Sequence, residues 1–129
     1  MTGTGAAPPL LDEEILTRLH DDFASTDDLA ELAALIRNFV RRAEEQVTEI
    51  VTALERGDVA QVRMAGHKLK GSSNTLGAVR LGAVAGDVEA AGAGAEQAAV
   101  IQAVRELELA FRHTRAALEE RADAIAHGT

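Results

Sequence analysis

The sequence predicts an all-α fold, an antiparallel up-down four-helix bundle preceded by a short additional N-terminal helix. Three observations carry that reading. Apolar residues recur in steps of three and four along nearly the whole chain, the spacing that keeps them on one face of an α-helix. Apolar residues make up 47% of the 129 and aromatics only 2%, so the core must be built from Leu, Val, Ile and Ala, a composition that favours helices over sheets. Strand signals and fixed-period repeats are absent and the connections are short, which sets sequence neighbours antiparallel.

Each element has its own signature. Residues 1–9, "MTGTGAAPP", lack periodicity and read as a frayed lead-in, with the folded domain over 10–126. "LLDEEILTRLHDDF" predicts a short helix over about 11–22. "STDD" at 25–28 then offers N-caps, and Leu29, Leu32, Ile36, Phe39, Ala43, Val47, Ile50 and Leu54 mark a long amphipathic helix ending near Gly57. Asp58 caps the next helix, with Gln61 three residues on completing a capping-box pattern. Its inward stripe is Val59, Val62, Gly66, Leu69, Ser73 and Leu76, and Gly77 is its stop. A fourth helix carries Leu81, Val84, Val88 and Ala91 and is broken by "GAGAE" at 92–96. A last helix uses Ile101, Val104, Leu107, Phe111, Leu118 and Ile125.

Several function classes fall away. The length suits one domain with a single core. No apolar run approaches the roughly 18–20 residues of a membrane span, and the N-terminus lacks the basic-then-apolar pattern of a secretory signal. With no cysteine there is no disulfide and no thiolate metal site. The expectation is a soluble, cytoplasmic protein. A net charge of −8 argues against nucleic acid as a partner.

The third helix is where the sequence departs from plain packing. On a wheel of about 100° per residue with Leu69 at zero, the inward stripe falls within roughly 80° and His67 lands about 160° away. Arg63, Lys70, Gly71 and Asn74 lie within roughly 60° of His67 on the same wheel. The imidazole therefore faces solvent and is not a satisfied core histidine. An ordinary solvated face is the simpler account, but the charge pattern opposes it. The chain has 21 acidic residues, yet none lies between Val59 and Gly86, where Arg63, Lys68, Lys70 and Arg80 stand. A basic face around an exposed imidazole suits a phosphoryl group or an acidic partner pocket. Gly71, one turn after His67, disfavours the helix by about 1 kcal/mol relative to Ala, and its use is to leave room for a bulky partner to reach the ring.

The string "GHKLKGSSNTLGA" at 66–78 resembles the signature of histidine-containing phosphotransfer (HPt) domains, roughly A-H-x-L-K-G-S-[AS]-x-x-[LIV]-G-[AL]. The resemblance extends over residues 10 to about 125, with a short leading helix, "GD" before the histidine helix, and Val88–Glu89 on the helix after it. Gly66 stands where the family usually has Ala, which loosens the expected packing there, and Val88 where it usually has Leu. The resemblance implies a phosphorelay carrier of bacterial two-component signalling, not an enzyme with kinase activity of its own. On that resemblance, His67 would accept a phosphoryl group on Nε2 from a receiver-domain aspartate and pass it to the receiver of another response regulator. Neutral imidazole is nucleophilic near neutral pH, and its phosphoramidate is a good donor back to a carboxylate.

By position in the motif, Lys70 neutralises the phosphoryl oxygens, Gly71 clears the approach, and Glu89 accepts from the imidazole Nδ1–H so that Nε2 is left free. Arg63, Lys68 and Asn74 are docking candidates. The implied partners are receiver domains and a hybrid sensor histidine kinase. No cofactor is expected in this chain, and the magnesium of phosphoryl transfer is expected in the receiver's acidic pocket. A binding-only helical adaptor is the rival reading, against which the intact His67, Lys70 and Gly71 count. A module of a hybrid kinase is a third, with the initiating Met favouring a free-standing protein. His20, His113 and His127 have no metal-ligand spacing and read as surface or helix-end residues. The glycines of "AAGAGAE" follow no strand and do not make a nucleotide loop.

Overall fold

Asp12 starts the first helix. Its side chain accepts from the backbone N–H groups of Glu14 at 3.0 Å and Ile15 at 3.2 Å, two donors that a helix start leaves without partners. The computed structural model describes residues 7–94 and 96–128. The helices are α1 (Glu13–Ser25), α2 (Leu29–Glu55), α3 (Val59–Leu76), α4 (Val79–Ala93) and α5 (Gln97–Ala126), with no strand among the described residues. In the ring of four, α2 packs on α3 and α5 while α4 packs on the same two, and α1 lies against α2. Arg37–Asp123 and Glu44–Arg115 pairs set α2 antiparallel to α5.

The predicted architecture stands, with differences of local origin. Because Asp12 is the cap, α1 begins after Leu11 and runs on to Ser25. Residues 1–6 of the expected lead-in lie outside the described residues, and within the rest of it the Pro8 carbonyl accepts from Arg80 Nε at 2.9 Å. Asp28, last of the "STDD" candidates, caps α2 by position, without a side-chain hydrogen bond. Asp58 caps α3 through the Gln61 N–H at 3.1 Å, but the Gln61 side chain turns to Glu49 on α2, so the capping box is only half made. Val59, at the edge of the predicted stripe, is exposed.

The core centres on Leu32, Ile36, Ile50, Leu69, Leu81, Leu107 and Leu118. Alanines at 33, 43, 53, 65, 78, 85, 103, 110 and 122 are buried among them. All but Ala43 escaped a stripe drawn through large side chains.

Two glycines fix how α3 meets its neighbours. Gly77 ends α3 at φ 95°, in the left-handed region that side chains disfavour. Its carbonyl accepts from Asp12 N at 2.8 Å, and a Cβ there would stand 3.2 Å from Ile15, so the α3–α4 turn is also the seat of α1. Gly66 is buried inside α3. A Cβ at this position would meet the Ala85 carbonyl oxygen at 3.2 Å and the Glu89 nitrogen at 3.3 Å. The expectation that Gly66 loosens packing is therefore corrected: it is the point at which the α3 and α4 backbones come together.

Candidate functional site

That close approach positions the candidate site. With α4 drawn against α3 at Gly66, Glu89 lies beside the next residue, His67. Glu89 Oε2 accepts from His67 Nδ1 at 2.8 Å, and Glu89 Oε1 accepts from Lys70 Nζ at 2.9 Å. One carboxylate thus holds both groups. The His67 side chain is 67% exposed and that of Glu89 28%, so the carboxylate forms the base of the cluster and the imidazole its tip.

The charges explain the ring's state. Lys70, donating to it, holds the Glu89 carboxyl below its ordinary range; partial desolvation acts in the opposite sense, and His67 adds to the lowering. The cluster's contribution to stability is present above the ordinary glutamate range and is lost as pH falls through the lowered value. An ionised carboxylate can only accept, so in neutral His67 the proton sits on Nδ1 and the lone pair on Nε2. Nε2 has no hydrogen-bond partner among the described residues. Glu89→Ala is expected to redistribute that proton between the two nitrogens, whereas Glu89→Gln, whose amide oxygen still accepts, largely keeps it on Nδ1. Ring 15N chemical shifts distinguish the two outcomes.

The other sequence-predicted residues divide between two sides of α3. Arg63 and Asn74 lean towards α4, where their side chains lie over Gly92 and Gly82. Lys68 and Gly71 face α2 across a groove of about 630 Å³, whose lining also includes Leu35, Phe39, Arg42 and Thr75. Of the four cations in the acid-free window, Arg80 is engaged by the Pro8 carbonyl and Lys70 by Glu89. Arg63 and Lys68 are exposed and make no ion pair among the described residues.

Sequence reasoning missed three features. It assigned Glu89 to His67 without seeing that Lys70 shares it. It overlooked Arg42 and the half-buried Phe39 as walls of a groove, because Phe39 read as core and Arg42, off the apolar stripe, drew no reading at all. It took Gly92 for a helix breaker, although Gly92 is buried within α4. Glycine at 82 and 86, one turn apart on a helix, was a legible sign of side chains lying across that face.

The remaining histidines are exposed. His127 is the C-cap of α5, its Nδ1 2.7 Å from the Asp123 carbonyl. Among the described residues no group of three or more His, Asp or Glu could hold a metal ion, and no helix is long and apolar enough to cross a membrane.

Comparison with known proteins bears on this geometry. A model of the Hpt domain family matches residues 34–127. The sensor histidine kinase AruS of Pseudomonas aeruginosa is 36% identical over 64 residues, half of this chain, which spans only 6% of that protein. The crystal structure of histidine-containing phosphotransfer protein B (HptB) from Pseudomonas aeruginosa PAO1 superposes with a TM-score of 0.80 at 25% identity, over 91% of this chain and 97% of that one. With its helical bundle and its family match over most of the chain, this protein belongs to the Hpt domain family, the phosphotransfer carriers of two-component signalling.

Proposed function

We propose that the protein takes a phosphoryl group onto His67 from the aspartyl phosphate of one receiver domain and delivers it to the aspartate of another. The observation that carries this reading is the exposed imidazole held at Nδ1 by Glu89, with the Lys70 ammonium on the same carboxylate. The Nε2 lone pair attacks phosphorus, an N–P bond forms, and the P–O bond to the receiver aspartate breaks, releasing that carboxylate. The ring becomes a phosphorylated imidazolium, still carrying its Nδ1 proton. Glu89 stabilises the positive ring, as a carboxylate does for the imidazolium of a hydrolytic triad. The Lys70 ammonium, held on Glu89 beside the ring, stabilises the charge of the incoming oxygens. Return transfer reverses each step, so no proton need leave the site. The carrier makes no nucleotide chemistry of its own, and magnesium is assigned to the receiver's acidic pocket.

The receiver is proposed to dock over the groove between α2 and α3. Leu35 and Phe39 offer apolar surface there, Gly71 offers clearance, and Arg42 and Lys68 offer positive charge to an acidic pocket. Arg63 and Asn74, leaning towards α4, flank His67 on its other side. The same reading assigns the protein to the cytoplasm, where such receivers would meet it.

Two measurements test the reading. Incubation with a receiver charged by a small phosphodonor is expected to leave acid-labile phosphate on His67, located by mass spectrometry. Binding of the receiver without any transfer would instead support the adaptor. Association is also expected to slow as salt rises, since exposed charges are screened beyond about 8 Å at 0.15 M. An association rate indifferent to salt in stopped-flow mixing removes the steering role from Arg42, Arg63 and Lys68.

A further inference from the structure

The α4 face turned towards α3 carries glycine at 82, 86 and 92. Their backbone is ordinary helix, since the positive-φ glycines among the described residues are Gly57, Gly77 and Gly128. Conformational freedom therefore does not require them, and glycine is the poorest helix former after proline. The space above each is taken instead by an α3 side chain. A Cβ at Gly82 would stand 2.0 Å from Asn74 Oδ1, and one at Gly92 2.7 Å from Arg63 Cγ. At Gly86 it would stand 3.2 Å from Lys70 Cδ and 3.9 Å from Lys70 Cγ, and no other atom outside the local helix comes within 4 Å. Of the three overlying side chains, Lys70 is the one whose charged end reaches Glu89.

We propose that Gly86 is a positioning residue for the phosphotransfer site: the side chain it lacks leaves the seat in which the Lys70 stem lies, fixing the ammonium beside Glu89 and His67. The functional consequence rests on the phosphorelay reading, whereas the geometry rests on the contacts alone. A lysine stem loses considerable rotamer freedom when ordered, and a seat that removes this freedom before reaction spares the transfer step from doing so. Close packing of the two helices does not account for Gly86. That role belongs to Gly66, where a Cβ would meet α4 backbone, whereas at Gly86 it would meet only the end of a flexible stem.

Gly86→Leu places carbon atoms in the seat at a half-buried position where larger side chains can spread into solvent. Two readouts follow, the titration of the Glu89 carboxyl by 13C NMR and the transfer rate from a phosphorylated receiver. With Lys70 displaced, the Glu89 midpoint is expected to move up towards the ordinary glutamate range, as it does in Lys70→Gln. Transfer is expected to fall by the same factor as in Lys70→Gln. Adding Gly86→Leu to Lys70→Gln is expected to change neither readout further. An unmoved Glu89 midpoint, or a further loss of transfer in the Lys70→Gln background, overturns the proposal. Should Gly86→Leu fail to fold, Gly86→Ala carries the same comparison with a smaller shift, because the stem must then give by only a few tenths of an ångström. A wild-type protein that takes up no phosphate would overturn the phosphorelay reading and leave the titration arm to decide the role of Gly86.

Discussion

His67→Gln is expected to leave helix content and melting temperature unchanged and to abolish phosphate uptake from a phosphorylated receiver. The fold tolerates the change because the side chain is 67% exposed and glutamine is at least as good a helix former. Glu89 is not stranded, since Lys70 still donates to Oε1. Substitutions at such positions usually fall within about 0.5 kcal/mol of neutral. The functional loss is complete because nucleophile and acceptor are the same atom, and an amide nitrogen has no lone pair to offer phosphorus. Among the described residues, none of His20, His113 or His127 sits on a carboxylate that shares a lysine: His20 lies 3.9 Å from Asp21, and His127 faces a backbone carbonyl. Circular dichroism and labelling with phosphorylated receiver check both halves. Label retained by the variant would overturn the assignment and direct attention to His20 or His113.

The histidine helix could be read from the chain because its information is local. Asp58 and Gly77 bound α3 where the cap and stop signals put them, and a period of 3.6 is enough to turn His67 outwards once Leu69 is inward. The same reasoning failed where the answer lay on a second element. Lys70 looks like a free cation on a wheel drawn for α3, and only the register of α4 against α3 delivers Glu89 between it and His67. That register depends on Gly66, which a one-helix view can score only as a weak point. The groove escaped for a similar reason: its walls come from α2 and α3, and Phe39 counts as core on its own helix while remaining half-buried at the groove. Large apolar residues announce a core, whereas the small residues that set helix separation carry no periodic signal strong enough to name them.

Gly71→Gln is expected to separate stability from function. The α3 helix holds two interior glycines with opposite surroundings. Gly66 is buried against α4 backbone, but a Cβ at the exposed Gly71 would find nothing within 4 Å. Nothing in the isolated protein therefore needs glycine at 71, and the carbonyl there already accepts from Thr75 Oγ1 at 2.9 Å whatever the side chain. Glutamine should stabilise the helix by roughly 0.5 kcal/mol through propensity alone. Transfer should fall sharply. The new side chain rises one turn from the imidazole into the groove it shares with Lys68 and Phe39, through which the receiver's aspartate is proposed to arrive. A misplacement of about 1 Å can cost on the order of a hundredfold in such a reaction. Thermal melts and transfer kinetics on the same variant decide the matter. Lower stability would assign Gly71 to packing, against the open space around it, and unchanged kinetics would move the docking surface off this groove. A raised melting temperature with slowed transfer would show that the helix forgoes stability at the one position where a partner must come within bonding distance of Nε2.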